Sequence, residues 1–338
     1  MSEEAAPAAT STTNTAVLEK LRTARHYDLQ AAGHAELLAL DNGLLVKPCT
    51  PRERQFYEEA TAAGSTSEAG VMGEFRTFMP RYFGSLRLAT EEERSAWSAT
   101  GTALPEQAVS ADRQNVTYGY CKPCVMDLKI GKELCSDDAS PEKRARMEAK
   151  ASNSTTSTLG IRICGIVVYD QSSGKYTSYN KTYGYGLTDD TIIEGFKAYF
   201  SALSDDNARR AIIMEELQDQ LEHFRDVLRG ADVRLRSASL LFVYEADPEG
   251  ATEMRRKAPD GNGDDLDSLD DDDDYDDDDD DDEDDDDDIE NPDVDLRIVD
   301  FAHSFWQSGI GPDHGCLQGV QNAIAMLKKL RQAKVPSN

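Results

Sequence analysis

The stretch PCVMDLKIG, residues 123–131, decides the reading of the fold. It has the composition of a buried strand, yet it carries Asp127 and Lys129. Side chains alternate between the faces of a strand, so positions i and i+2 share one face. A carboxylate and an ammonium therefore point the same way from an apolar ribbon. Buried charges are costly unless they are paired or used. A second apolar strand with the same anomaly, LRIVDFAHS at 296–304, places Asp300 after Ile298 and Val299. A carboxylate at the end of a buried strand suits Mg²⁺, which often takes one or two protein carboxylates plus phosphates.

The elements around these strands follow from local signals. Residues 33–60 predict a strand, an Asn42-Gly43 hairpin turn, a second strand LLVK ending at Lys47, and a helix with Pro51 in its first turn. Residues 61–75 read as a loop, FMPRYFGSL (78–86) as a strand, and the polar run 89–115 holds a short strand around Val109. The helix expected over 139–152 has Ser140 as N-cap, Pro141 at its first position and Glu142 in its first turn. LGIRICGIVVY (159–169) and KYTSYNKTY (175–183) pair across a Ser-Ser-Gly turn as a hairpin. Helices are predicted over 189–203 and 206–229, the second with a stripe of Ile212, Ile213, Leu217, Leu221, Phe224 and Leu228. Residues 233–245 read as one strand, and 313–334 as a closing helix. Strands and helices do not alternate as βαβ units, so the class is α+β with antiparallel sheets.

The 338 residues carry a formal net charge of −29, but residues 260–295 hold 25 Asp and Glu and no Lys or Arg. Elsewhere 40 acidic face 36 basic side chains, so the folded part is near neutral. The acidic insertion, about 247–294, and the small polar tail 1–16 are expected to be disordered. No apolar run is long enough to span a bilayer. Cys121 and Cys124 form a C-x-x-C, but no second pair follows at zinc spacing, so ordinary reduced thiols are expected.

On the 139–152 helix, Lys143, Arg146 (or Met147) and Lys150 fall at i, i+3 and i+7, with Arg144 beside them. Together with Lys129 and Lys132 they would form a cationic surface for a compact polyanion, because charge-assisted bonds to phosphate are the stronger kind. Taken alone, the helix also fits a solvated basic face. Lys47 can hold nucleotide phosphates as a strand lysine does in kinases. Strand lysine, Asp/Lys pair, basic helix and strand-end aspartate make up the parts of a phosphotransferase. There is no GxxxxGK[ST] loop, no GxGxxG before a helix, no HRDxxxxN, no HExxH and no GxSxG. Binding to a nucleic acid backbone is disfavoured by the overall charge.

These motifs, in this order, resemble the inositol polyphosphate kinase family. PCVMDLKIG is similar to its P-x-x-x-D-x-K-x-G signature, RSASLLFVYE to its S-L-L strand, and IVDFAHS to its metal-binding strand. QAAGH (30–34), LLVKP and RERQFYE (52–58) resemble its amino-terminal lobe, so the likeness spans residues 30–330. Within the family, residues 131–165 and the poly-Asp insertion are most similar to the fungal multikinases. The resemblance implies a two-lobed fold, with an ATP-binding lobe over 17–122 and a substrate lobe over 123–338.

The resemblance also implies roles for residues. ATP phosphates fall to Lys47, the adenine hinge to Gln114 and Val116, and the ribose to Asp127. Asp300 would hold Mg²⁺ and the nucleotide, and Asp127, Lys129 and Asp300 form the catalytic set. Lys129, Lys143, Arg146, Lys150, Lys181 and His303 would contact the inositol phosphate. Tyr183-Gly184-Tyr185 stands where the family has Tyr-Gly-Arg, which removes one basic contact. The implied activity is ATP-dependent phosphorylation of inositol tris- and tetrakisphosphate by a monomer in the nucleus, the cytoplasm or both. The alternatives are a hexakisphosphate kinase making pyrophosphates, a lipid-headgroup kinase, and an acidic scaffold that recruits basic nuclear proteins.

Overall fold

The computed structural model describes residues 24–33, 37–40, 43–62, 70–86, 110–136, 138–257 and 293–332. The polar tail, Asn42, His34 and the acidic tract beyond residue 257 lie outside them. The architecture is α+β with two antiparallel sheets. The first sheet is built from β1 (Arg25–His26), β2 (Leu38–Ala39), β3 (Leu44–Pro48), β4 (Tyr82–Leu86) and β5 (Ser110–Gln114), in the order β1-β2-β3-β5-β4. The second contains β6 (Pro123–Ile130), β7 (Ile161–Asp170), β8 (Lys175–Tyr179), β10 (Ser239–Glu245) and β11 (Val294–Val299), in the order β11-β10-β6-β7-β8. A short ribbon pairs β9 (Val233–Arg234) with β12 (Phe305–Trp306).

The second sheet separates two environments. Cys124, Met126, Leu128 and Ile130 on β6 are fully buried on one face. They join a large apolar cluster with side chains of α6 (Ile192–Tyr199), α7 (Asn207–Gly230) and α9 (His314–Gln332). Truncating such a side chain to Ala costs about 2–5 kcal/mol. The opposite face of β6 carries Val125, Asp127 and Lys129. β6 stops at Gly131, whose φ is +91°; a side chain there would meet the Cys316 Sγ at 2.7 Å.

The first sheet does not have a core of its own size. α1 (Pro51–Ala62) and α2 (Gly70–Thr77) bury Phe56, Tyr57 and Phe75 in the large cluster of the second sheet. Phe56 stacks on Phe301 at 4.2 Å and on Trp306 at 4.9 Å, while Phe75 meets Trp306 edge-on at 5.0 Å. The Ile298 amide donates to the Phe78 carbonyl at 2.7 Å. These contacts fix the first sheet against the segment that follows β11.

Several local expectations change. The loop expected over 61–75 ends in a helix instead: residues 70–75 belong to α2, because burial of Phe75 outweighs two glycines that weaken the helix signal. The strand expected over 233–245 is broken at residues 235–238, where Ser237 takes φ +58°. The hairpin strand ends at Tyr179; Asn180 then caps α5 (Lys181–Gly186), accepting the Thr182 amide at 2.9 Å, so Lys181 begins a helix. Ile212 is 56% exposed, since the stripe on α7 runs through Ile213, Leu217, Leu221, Phe224 and Leu228. α3 (Pro141–Ser152) begins as expected, with the Ser140 hydroxyl accepting the Lys143 amide, and the short α4 (Thr155–Leu159) follows it.

The acidic insertion leaves and re-enters between two paired strands. Its first part is not irregular, because residues 248–257 form α8 (Pro248–Lys257). The Glu245 amide donates to the Asp293 carbonyl at 2.9 Å. Glu245, fully buried, accepts the amides of Cys121, Lys122 and Asp247 at 2.5, 2.8 and 2.7 Å. Arg209 bonds both the Glu245 carbonyl at 2.8 Å and the Asp293 carboxylate at 3.3 Å. The ends are thus joined independently of what lies between them, and loop length adds little closure cost. Replacing residues 258–292 by a short Gly/Ser linker is expected to leave turnover within about twofold and the melting temperature within a few degrees. Kinetics and thermal melting of the deletion variant check this.

Candidate active site

Asp300 directly follows β11 in the left-handed region, with φ +69°. An L-residue is uncommon there, and such strain collects at functional sites. The turn aims the carboxylate between two ammonium groups. Lys47 Nζ, from β3, donates to Asp300 Oδ1 at 2.5 Å, and Lys129 Nζ, from β6, donates to Oδ2 at 2.8 Å. Each lysine has a second acceptor. Lys47 reaches Glu53 Oε1 at 3.1 Å, on α1, and Lys129 reaches the Ser237 carbonyl at 2.6 Å. Glu53 is 2% exposed.

The register explains how Lys129 spans the distance. Ser239 of β10 lies directly between Lys129 of β6 and Val299 of β11. Its small, fully buried side chain lets the lysine pass over β10 to the residue after Val299. The ion pair formed is therefore Lys129 with Asp300; no Asp127–Lys129 salt bridge is formed. Burial would push the Asp300 carboxyl up, but Lys129 and Lys47 hold it well below the usual carboxylate range. Burial would likewise lower Lys129, and the charges of Asp300 and Asp127 reverse this. Asp127, 5% exposed, is pushed up by burial, against the pull of Lys129, and Asp300 adds to the rise. Its Oδ1 is buried without a hydrogen-bond partner, so it offers an acceptor to an incoming donor.

Two cavities meet at this triad. One of about 230 Å³ has apolar walls from Leu45, Val116, Val125, Leu241 and Val299, with Gln114, Lys47, Asp127 and Asp300 as its polar points. Residues 27–33 close it from above, tied down by the Tyr27 hydroxyl to Thr117 Oγ1 at 2.8 Å. Gly165, opposite Asp127, permits this: a side chain there would come within 1.7 Å of the Ala31 carbonyl oxygen. The second cavity, about 390 Å³, is bordered by Lys47, Lys129, Arg236, Asp300 and His303.

Further cations lie outside the lining of the second cavity. Burial lowers the His303 pKa, and the nearby charges of Lys143 and Arg52 lower it further. Arg52 itself pairs with Asp138 at 2.9 Å, ahead of α3. Arg162 is cross-strand to Lys129 and only 4% exposed. Its guanidinium donates to the Tyr185 hydroxyl at 2.5 Å, and the Tyr185 ring also faces Lys150 at 5.9 Å. Among the described residues Arg162 has no carboxylate salt bridge, and its Nε is unbonded. Arg146 and Lys181 sit exposed on α3 and at the start of α5, and neither borders the two cavities.

Of the residues singled out from sequence, the structure gathers Lys47, Gln114, Val116, Asp127, Lys129, Asp300 and His303 around the joined cavities. Lys143 acts on His303 through its charge and Lys150 faces the Tyr185 ring, but neither borders the two cavities. Three participants were missed. Glu53 is an acidic residue on the buried side of α1, a signal present in the i, i+3, i+4 spacing with Phe56 and Tyr57. Arg162 is the one charge within the apolar run IRICGIVV, the same anomaly that Asp127 and Lys129 present in β6. The backbone carbonyl of Ser237 has no sequence signal.

Among the described residues no group of three or more His, Cys, Asp or Glu forms a self-contained metal centre. An ion held at Asp300 would complete its shell with phosphate and water. The sequence profile of inositol polyphosphate kinases matches residues 113–328. The chain is 30% identical over 307 residues to the inositol polyphosphate multikinase of Schizosaccharomyces pombe, covering 90% of this chain and 97% of that protein. It is 30% identical over 356 residues to the multikinase of Saccharomyces cerevisiae, covering 92% and 100%. It is 34% identical to inositol hexakisphosphate kinase 1 of Mus musculus over 64% of this chain, but spans only 51% of that protein. The crystal structure of the S. cerevisiae inositol phosphate multikinase in complex with ADP and Mn²⁺ superposes with a TM-score of 0.61, at 26% identity, over 85% of this chain and 98% of that one. By its motifs, its fold and these likenesses, the chain belongs to the inositol polyphosphate kinase family.

Proposed function

We propose that this chain is an inositol polyphosphate multikinase, which transfers the γ-phosphoryl group of ATP to hydroxyls of inositol tris- and tetrakisphosphate. The observation that carries this is the Lys47–Asp300–Lys129 triad at the junction of an apolar cavity and a cation-lined one. The apolar cavity suits a nucleoside. Gln114 and Val116 border it on the side of the first sheet, and the unpartnered Oδ1 of Asp127 fits a ribose hydroxyl. The cationic cavity suits a phosphorylated ring. The two multikinase relatives align over nearly their whole length, whereas the hexakisphosphate kinase aligns over about half of its own.

The residues divide the work as phosphoryl transfer requires, by positioning and charge neutralisation. Asp300 is an ionised carboxylate at a strand end beside phosphate-binding lysines, a donor set that fits a divalent cation. Such an ion, Mg²⁺ in the cell, would neutralise charge on the nucleotide phosphates. Lys47, oriented by Glu53, holds those phosphates from the first sheet. Lys129 lines the second cavity beside Asp300, which both cavities share, where charge accumulates on the transferred group. His303 borders the acceptor cavity, and Lys143, together with the Arg162 and Lys150 that face Tyr185, would reach substrate phosphates from beyond its lining.

The acidic insertion emerges at the end of β10 remote from Ser239 and Asp300, so a role in docking basic nuclear proteins is compatible with catalysis. Among the described residues no helix is long and apolar enough to cross a membrane.

Purified protein with Mg-ATP and inositol tris-, tetrakis- or hexakisphosphate, with products resolved by chromatography, tests the proposal. Stepwise conversion of the tris- and tetrakisphosphates is expected; turnover confined to hexakisphosphate would replace this reading with the pyrophosphate-forming one. Lys129→Ala and Asp300→Ala should each lower kcat by about 100-fold or more, while circular dichroism shows the fold intact. Lys143→Ala and Lys150→Ala should raise KM for the inositol phosphate by about 3- to 30-fold with KM for ATP unchanged. A rise for ATP alone would remove these residues from the acceptor side.

A further inference from the structure

Among the described residues, two non-glycine residues have positive φ, Asp300 at +69° and Ser237 at +58°. They are also the two acceptors of the Lys129 ammonium. Ser237 is not held by a regular strand, because residues 235–238 interrupt the path from β9 to β10. What holds this turn is a buried ionic cluster. Asp313 Oδ2 accepts the Leu235 amide at 3.1 Å and Arg236 Nη1 at 3.0 Å, while its Oδ1 accepts the Cys316 amide at 3.0 Å in the first turn of α9. Both side chains of the Arg236–Asp313 pair are 7% exposed. Arg236 Nη2 also meets Glu133 at 2.8 Å, but that carboxylate is 64% exposed. The Arg236 amide donates to Ser304 Oγ at 3.2 Å, in the segment that carries Asp300 and His303. The Ser237 hydroxyl donates to the Leu134 carbonyl at 2.9 Å.

We infer that the Arg236–Ser237 turn, clamped by Asp313, is a positioning device for Lys129. The inference rests on the reading of Lys129 as the group at the transferred phosphoryl. A lysine with three rotatable donors on a long stem needs fixed acceptors to hold one direction. Asp300 cannot supply this throughout turnover, because the divalent cation and the nucleotide draw on the same carboxylate. The Ser237 carbonyl is a neutral acceptor that no phosphate or metal displaces by charge, so it keeps Lys129 aimed while Asp300 changes partners. Its strained backbone persists only if its surroundings over-determine it, which is what the Asp313 cluster does. Arg236 borders the acceptor cavity, yet its two terminal nitrogens go to Asp313 and Glu133, and this makes it a support rather than a phosphate ligand.

The alternative is that the ion pair serves folding alone, and three variants of the full chain separate the two. Arg236→Met leaves Asp313 buried without its cation and should lower the melting temperature. The double variant Arg236→Met/Asp313→Asn removes both charges and keeps a capping oxygen for α9 but not the acceptor of the Leu235 amide, so the melting temperature should recover in part. Arg236→Lys keeps a cation opposite Asp313. With Mg-ATP and inositol trisphosphate, well below the lowest melting temperature, kcat is expected to fall about tenfold or more in both Met variants, with KM for ATP within about twofold. Arg236→Lys is expected to recover most of kcat. If kcat recovers together with the melting temperature in the double variant, the turn is only structural and the inference is overturned. Lys129→Met is the reference. Should it retain wild-type kcat, the reading of Lys129 fails; should it be inactive while the Arg236 variants turn over normally, only the positioning role fails.

Discussion

One carboxylate between two ammoniums organises this molecule. Asp300 lies within 3 Å of both Lys47 and Lys129, and those lysines come from different sheets. The first sheet is therefore joined to the second by charge as well as by the aromatic stack of Phe56, Phe301 and Trp306. Each member is partly removed from water, where an unpaired charge would be unstable, and each lysine has a supporting partner, Glu53 for Lys47 and the Ser237 carbonyl for Lys129. The triad is satisfied before any substrate arrives, and with Glu53 its two ammoniums meet two carboxylates.

The second sheet explains why so much charge is tolerated in a strand. Met126, Leu128 and Ile130 face the helices, and Asp127 and Lys129 face the cavities. Burial on the first face holds the sheet rigid, and that rigidity fixes the second face to within the tolerance that phosphoryl transfer demands. Changes in the core would reach the chemistry through displacement of Lys129, and changes on the charged face would alter chemistry with little effect on packing.

Much of this was legible in the chain. Charged residues inside apolar runs identified β6 and β11, and the Ser140-Pro141 pair fixed the start of α3, because both signals are local. The break at Ser237 was not legible. VRLRSASLLFVYE has unbroken strand composition, and the turn is imposed by groups distant in the chain, Asp313, Ser304 and Leu134. α2 was hidden for a related reason, since its stability comes from Phe75 packing on Phe224 and Trp306 rather than from helix propensity. The pairing of Lys129 with Asp300 instead of Asp127 depends on strand order and on the smallness of Ser239, neither of which a single strand reveals.

The anchoring of the acidic insertion has an electrostatic meaning. Val294, where the chain rejoins the sheet, is six residues from Asp300 along β11, a run of roughly 20 Å at about 3.3 Å per residue. At physiological ionic strength the Debye length is about 8 Å, and in about 0.01 M salt it is roughly 30 Å. The root of a strongly anionic appendage thus stands outside the screened neighbourhood of a cleft that must attract anions. In dilute buffer that insulation fails, and the same appendage begins to compete with the lysines for control of the field at the cleft mouth.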